Sequence, residues 1–337
     1  MRKTAVVAGA GGFIGFHMVR YLKAEGYHVR AVDVKMPEFA PSDADEFLLA
    51  DLRLVEACER SVNGMDEVYQ LAADMGGIGY ITANRAEVAR NNTLINAHMI
   101  GAAAAAGVSK YFFSSTACVY PDYRQGEADV VALKEEHAYP AAPEEGYGWE
   151  KLFAEKLCQY YTEEGKLATS VARFHNVYGP LGTYIGGREK APAALSRKIA
   201  MAEDGDQIEV WGDGEQTRSF MYVDDCVEGI YRMTQSGCAD PLNLGSDELV
   251  SVNGLVDLIA SIANKDIKKK HNLEMPQGVR GRNSDNAMLR RILGWEPGTT
   301  LAEGLRPTYA WINDQIAKTR IIDLTAERTS EPGMAHA

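Results

Sequence analysis

Gly9-Ala10-Gly11-Gly12-Phe13-Ile14-Gly15 follows an apolar run, Thr4 to Ala8, and opens a stretch with helical spacing of apolar residues from Phe13 to Glu25. A glycine triplet between a strand and a helix is the setting in which a dinucleotide pyrophosphate is held. Gly9 permits the tight turn, and Gly12 lets a pyrophosphate approach the helix start at Phe13 and Ile14. Gly15 lets helix and strand pack closely. Taken alone such a triplet is weak, because strand-to-helix loops are often glycine-rich for steric reasons; its context gives it weight. Asp33 ends the second apolar run, where a carboxylate accepts hydrogen bonds from ribose hydroxyls and repels a 2′-phosphate, so NAD is expected over NADP. The bland alternative is a solvated turn carboxylate. Asp51-Leu52 suits the adenine edge, and Leu71-Ala72-Ala73 supplies small residues where a strand end passes the cofactor.

Outward from that loop, strand-like and helix-like segments alternate. Val29 to Asp33 and Glu67 to Leu71 read as strands, a helix from about Asn91 to Ala106 precedes a strand Tyr111 to Ser114, and a helix from Gly148 to Tyr161 precedes Ala168 to Phe174. The fold class expected is α/β: a Rossmann doubly wound parallel sheet with a smaller, discontinuous C-terminal substrate-binding domain. Residues 1–180 are assigned to the NAD-binding domain, with about 215–250 returning to it, and residues 181–320 mainly to the substrate domain, which reads as glycine-rich loops with helical stretches between them. The last helix is expected from Leu301 to Ala317, and residues 321–337 read as a flexible tail.

The 337 residues carry a formal charge of −12 with 46% hydrophobic and 24% charged residues. That balance argues against nucleic acid, which needs a basic face, and no apolar run approaches the roughly 18 to 20 residues of a membrane span. Five cysteines without CxxC spacing argue against a disulfide framework or zinc site. With no leader pattern at the N-terminus, a reducing cytoplasm is expected. His17, His28 and His98 have no second ligand at metal spacing, so no metal site is expected.

Tyr147-Gly148-Trp149-Glu150-Lys151 sets a phenol and an ammonium on one helix face. A cation beside a tyrosine favours the phenolate and draws its pKa down, making it a base for a hydroxyl proton as hydride leaves the same carbon. Lys151 also suits the nicotinamide ribose hydroxyls. A Tyr/Lys pair at this spacing is by itself a common accident of helices. What changes its weight is Ser114-Ser115-Thr116-Ala117-Cys118-Val119-Tyr120, which follows an apolar strand and offers Thr116 as a hydrogen-bond donor to the reacting oxygen.

Together the glycine loop, Ser114 to Tyr120, Tyr147 to Lys151 and Phe174 to Pro180 resemble the extended short-chain dehydrogenase/reductase family of nucleotide-sugar enzymes, the NAD-dependent epimerases and dehydratases, over almost the whole chain. Ala73 to Gly77, Asn91 to Thr93, Thr116 to Pro121, Gly186 to Pro192, Trp211 to Phe220 and Val279 to Asn286 resemble more narrowly its branch of GDP-mannose 3,5-epimerases. One departure is Thr116, a hydroxyl where that branch usually has serine.

The branch implies transient oxidation at C4 of GDP-D-mannose, proton exchange at C3 and C5 and re-reduction, giving GDP-L-galactose, with GDP-L-gulose as the product of C5 inversion alone. A ketone is needed because the C–H bonds are otherwise unactivated. Cys118 lies in the same turn as Thr116, and a thiol can serve as acid or base beside a cation; the resemblance pairs it with Lys190. Without the resemblance Cys118 would be a buried filler and Lys190 a solvated loop lysine. The resemblance further implies that Asn176, Glu189, Lys198, Gln216, Arg218 and Arg282 contact the GDP-sugar, each otherwise readable as an ordinary polar residue, and that the protein is a homodimer; Gly76 and Gly77 are expected to let a loop backbone close over the hexose. A 4-epimerase or UDP-glucuronate decarboxylase of the same fold is the rival, separated by the Cys118/Lys190 pair it does not need. A silent NAD-sensing scaffold is disfavoured because every catalytic position carries a competent residue.

Overall fold

The computed structural model describes residues 2–129, 131–275 and 278–330. Chain order runs β1 (Thr4–Ala8), α1 (Phe13–Ala24), β2 (His28–Asp33), β3 (Glu46–Leu49), α2 (Val55–Val62), β4 (Glu67–Gln70), α3 (Ile78–Ala83), α4 (Arg85–Ala105), β5 (Lys110–Thr116), α5 (Glu145–Glu163) and β6 (Thr169–Phe174). It continues through β7 (Asn176–Tyr178), α6 (Ala191–Met201), β8 (Gln207–Trp211), β9 (Thr217–Tyr222), α7 (Val223–Ser236), β10 (Leu242–Leu244), β11 (Leu249–Ser251), α8 (Val252–Ala263), β12 (Lys268–Asn272), β13 (Gly281–Arg282), α9 (Ala287–Leu293) and α10 (Leu301–Ser330).

The expected α/β architecture is present. A seven-stranded sheet has the order β10-β6-β5-β4-β1-β2-β3, and every pairing in it is parallel. Parallel strands are covered on both faces, which is why these read as continuous apolar runs. One cover packs Met18, Val19 and Leu22 of α1 against Val227, Ile230 and Met233 of α7. The other packs Cys58 and Val62 of α2, Met99 and Ala103 of α4, and Ala154 and Cys158 of α5. Each fully buried Leu, Val or Met contributes about 1.5–3 kcal/mol. The strand order reverses between β1 and β4, and in such sheets a ligand crevice opens outside the carboxyl ends at that switch point.

Two small sheets follow, β11-β9-β13 with β7 paired to β9, and β12-β8. They share a core with α6, α8 and the start of α10 through Leu195, Ile199, Val210, Phe220, Leu255, Ile259 and Leu305. This part of the chain therefore holds short strands that its glycine-rich loops conceal. β9 passes directly into α7, and the chain between β9 and β11 adds β10 to the edge of the large sheet beside β6. Helix α5 begins earlier than the sequence pattern indicates, and α10 continues past Ala317 to Ser330. Residues 331–337 lie outside the described residues.

Candidate active site

At the switch point, Gly9 has φ +84° and packs on the chain leaving β4; a Cβ there would lie 2.7 Å from the Ala72 nitrogen. A Cβ on Gly15 would lie 2.1 Å from the Gly9 carbonyl oxygen, so helix α1 can seat against the loop only with glycine there. No side chain caps the start of α1 at Gly12, which leaves the positive helix end and its amides for an anion. The close approaches at Gly9 and Gly15 and the uncapped helix start fit a dinucleotide pyrophosphate. Asp33 Oδ2 accepts from Gly11 N at 2.9 Å and Oδ1 from Lys35 N at 3.2 Å, fixing the end of β2 beside the loop. Phe13 lies under Gly182, its ring 3.2 Å from where a Cβ would be, and Ile14 packs on the sheet core. Leu71 N donates to Ala8 O at 3.0 Å, and Ala73 follows at the crevice edge, half-buried. Asp51 is taken up by Arg53, whose Nε and Nη2 donate at 3.0 and 2.6 Å, and that pairing holds its carboxyl below the usual range. Leu52 is buried, its carbonyl accepting from the Cys58 thiol.

β5 ends at Thr116, and the chain then turns through one 3-10 turn, Ala117–Val119. Thr116 Oγ1 accepts from Cys118 N at 3.2 Å. Helix α5 starts against this turn: Glu144 N donates to Cys118 O at 2.9 Å, and a Cβ on Gly148 would lie 2.3 Å from that same oxygen. Gly148 is thus what lets the Tyr147/Lys151 helix touch the Cys118 turn. Gly148→Ala should lower stability by about 1–3 kcal/mol, read as a drop in Tm.

Tyr147 is buried, and burial raises its phenol well above the ordinary value; Cys118 and Glu150 add to the rise, while a hydrogen bond from Thr116 opposes it. The expectation that Lys151 draws this phenol down is not met. Lys151, also buried, turns its Nζ to the Ser114 carbonyl at 3.0 Å and lies 4.8 Å from the Phe113 ring centre and 5.7 Å from that of Tyr147. Burial lowers its pKa.

Cys118 faces cations. Arg282 Nη1 donates to its sulfur at 3.8 Å, and Lys190 and Arg218 are both within electrostatic reach of the thiol. Arg282 is oriented by Gln125 Oε1, at 2.6 Å from Nε, and by Glu144. Lys190 is exposed to solvent yet crowded by protein, and that desolvation draws its ammonium below the ordinary lysine range. Burial pushes Arg218 down to about 10; its Nη2 donates to Val279 O at 2.6 Å. Thr116, Cys118, Tyr147, Lys190, Arg218 and Arg282 therefore converge although they come from five separate stretches of chain.

The remaining candidates frame this cluster. Asn176 Nδ2 donates to Ser219 O at 3.1 Å. Gln216 Nε2 donates to Trp211 O at 2.9 Å, while its buried Oε1 has no hydrogen-bond partner among the described residues. Glu189 is occupied by Gly187 N at 2.7 Å and Arg197 at 3.3 Å. Lys198 points to β8, donating to Glu209 O at 2.7 Å. Gly76 packs under the Tyr80 ring. Sequence reasoning missed Glu144 and Gln125, which orient Arg282, and the buried Glu150. Glu150 accepts from Asn92 and Asn96 at 3.0 and 3.1 Å, and burial pushes it up to about 7. Glu144, Glu145 and Glu150 near a helix start look like solvated charge, and Gly146, Tyr147 and Gly148 among them are the signal that could have pointed to enclosure.

The chain matches, over residues 5–245, the family described as NAD dependent epimerase/dehydratase. It is 48% identical over 316 residues to the GDP-mannose 3,5-epimerase of Arabidopsis thaliana, covering 93% of this chain and 83% of that protein. To UDP-glucuronic acid decarboxylase 1 of Xenopus tropicalis it is 29% identical, over 94% of this chain and 73% of that one. Among solved structures, UDP-glucose 4-epimerase of Thermotoga maritima with UDP-glucose superimposes with a TM-score of 0.81 at 27% identity, covering 93% of this chain and 99% of that chain.

Proposed function

Because the chain belongs to the NAD-dependent epimerase/dehydratase family, we propose that it converts GDP-D-mannose to GDP-L-galactose, releasing GDP-L-gulose when only C5 inverts. The observation that carries this reading is Cys118 set beside Arg282, Arg218 and Lys190 in the same turn that meets Tyr147. Simple C4 chemistry has no use for a thiol and an amine there. NAD, held by the glycine loop and Asp33, supplies when bound an acceptor for the C4 hydrogen and its later donor.

Tyr147 takes the proton from O4 as C4 is oxidised and gives it back on reduction, with Thr116 hydrogen-bonded to the same oxygens. The C4 ketone acidifies the C3 and C5 hydrogens, since either carbanion is an enolate. Cys118 and Lys190 act as the base and acid that remove a proton from one face and deliver it to the other. Lowered by desolvation, Lys190 gives up its proton more readily than an ordinary lysine. Arg218 and Arg282 offset the negative charge of the enolate and the substrate diphosphate. The buried Gln216 oxygen and Asn176 give the nucleotide sugar further polar partners.

We assign the NAD site to the seven-stranded sheet and the GDP-sugar site to the small sheets and α6. Trp149, Phe153 and Tyr160 are 53%, 56% and 53% exposed along α5, an apolar stripe that supports a homodimer. Five free cysteines support a cytoplasmic location; among the described residues no helix is long and apolar enough to cross a membrane.

Incubating the protein with GDP-mannose, without added nicotinamide, should yield GDP-L-galactose by NMR with no net redox change. Turnover of UDP-glucuronate or a UDP-hexose, with GDP-mannose untouched, would transfer the protein to the decarboxylase or 4-epimerase reading.

A further inference from the structure

A polar chain, buried at Glu150, Asn92 and Asn96, half-buried at Asp74 and Tyr80 and exposed at Arg188, leads away from the reacting cluster and returns to it by another route. Glu150 neighbours Lys151 on α5, and Asn92 and Asn96 of α4 donate to its two oxygens. Asn92 also grips the backbone of Asp74: its Oδ1 accepts from Asp74 N at 2.6 Å and its Nδ2 donates to Asp74 O at 3.1 Å. Asn91 Nδ2 donates to Asp74 Oδ2 at 3.0 Å. The other oxygen of Asp74 accepts from the Tyr80 hydroxyl at 2.8 Å. The Arg188 guanidinium covers the Tyr80 ring at 3.8 Å from its centre, and its Nη1 reaches Met75 O at 3.5 Å. Gly77 meets the same segment, its missing Cβ 3.5 Å from the Glu189 carbonyl oxygen. Arg188 stands two residues before Lys190.

We propose that Tyr80 and Arg188 form a clasp that positions Lys190, fastening its loop to the loop of Gly76 and Gly77 and, through Asp74, Asn92 and Glu150, to the helix of Tyr147 and Lys151. Physical chemistry favours this over an incidental surface contact. Arg188 is exposed, but its guanidinium lies over an aromatic face, an attractive arrangement, and Tyr80 is held in orientation by an acceptor that two buried asparagines fix in turn. Proton transfer at carbon is sensitive to placement, so the loop carrying the amine needs such a fastening while hydride transfer, on the rigid α5 side, does not. Tyr80 and Arg188 are positioning residues in this scheme.

The role at Lys190 rests on the 3,5-epimerase reading, whereas the clasp itself is testable without sugar. In NAD-loaded protein, Tyr80→Ala and Arg188→Ala should speed amide hydrogen exchange in residues 74–80 and 186–190 and leave 145–160 unchanged. Equal exchange in native and variant proteins overturns the clasp whatever the substrate is. With GDP-mannose in deuterated water, the same variants should lose deuterium uptake at C5 by about tenfold to hundredfold, while single-turnover absorbance of the reduced nicotinamide stays within about twofold. Arg188→Lys, which keeps charge but not the planar stack, should fall between, and Tyr80→Phe, which keeps the ring, should lose less than Tyr80→Ala. Equal losses in hydride transfer and proton exchange would contradict a positioning role confined to Lys190.

Discussion

Cys118→Ala should bring deuterium uptake at C3 and C5 of GDP-mannose down by ~10²–10⁴-fold, the span that a positioned acid or base supplies, while the reduced nicotinamide still appears at the native rate. The two outcomes separate because the thiol acts after the ketone exists. The fold should survive the change. Arg282, which donates to the sulfur at 3.8 Å, keeps Gln125 and Glu144 as partners, so no buried cation is stranded and the stability loss should stay near ~1 kcal/mol. If the alanine variant exchanged deuterium at the native rate, Cys118 would be a packing residue and the acid-base pair would have to be sought elsewhere in the cleft.

Tyr147→Phe should give the opposite pattern. Without the phenol no ketone forms, so nicotinamide reduction and proton exchange fall together, again by ~10²–10⁴-fold. The phenol is raised well above its ordinary value, mainly by burial. Its base form is therefore scarce at neutral pH and grows with pH up to that raised value. The rate of C4 oxidation should accordingly climb as pH rises through neutrality, measured by single-turnover absorbance. A pH-independent rate would mean that burial does not hold the phenol up in the NAD-loaded protein.

The parts of this molecule that were legible in the sequence are those in which backbone demands are local. The glycine loop, β1 and α1 are read from one short stretch because Gly15 must sit against Gly9 and no other residue fits. The parallel sheet followed from apolar runs alternating with helical spacing. The β7, β9, β11 and β13 group was not legible, since short strands paired across the chain leave little periodicity. Distance in sequence hid contacts within the site: Arg282 was expected at the GDP-sugar, but its reach to Cys118 from the far end of the chain was not, and its orienting partners Gln125 and Glu144 carry no motif of their own. Proximity on a helix also misled. Lys151 shares a face with Tyr147, yet its ammonium turns to the Ser114 carbonyl, so burial and not the cation governs the phenol. The spacing that locates two side chains does not determine where their ends point.

Exchange with solvent tests the central claim most directly. The account predicts that GDP-mannose incubated with the protein in deuterated water gains deuterium at C3 and C5 and none at C4, because the C4 hydrogen is kept by the bound nicotinamide and returned. Absence of deuterium at C5, or its appearance at C4, would contradict it.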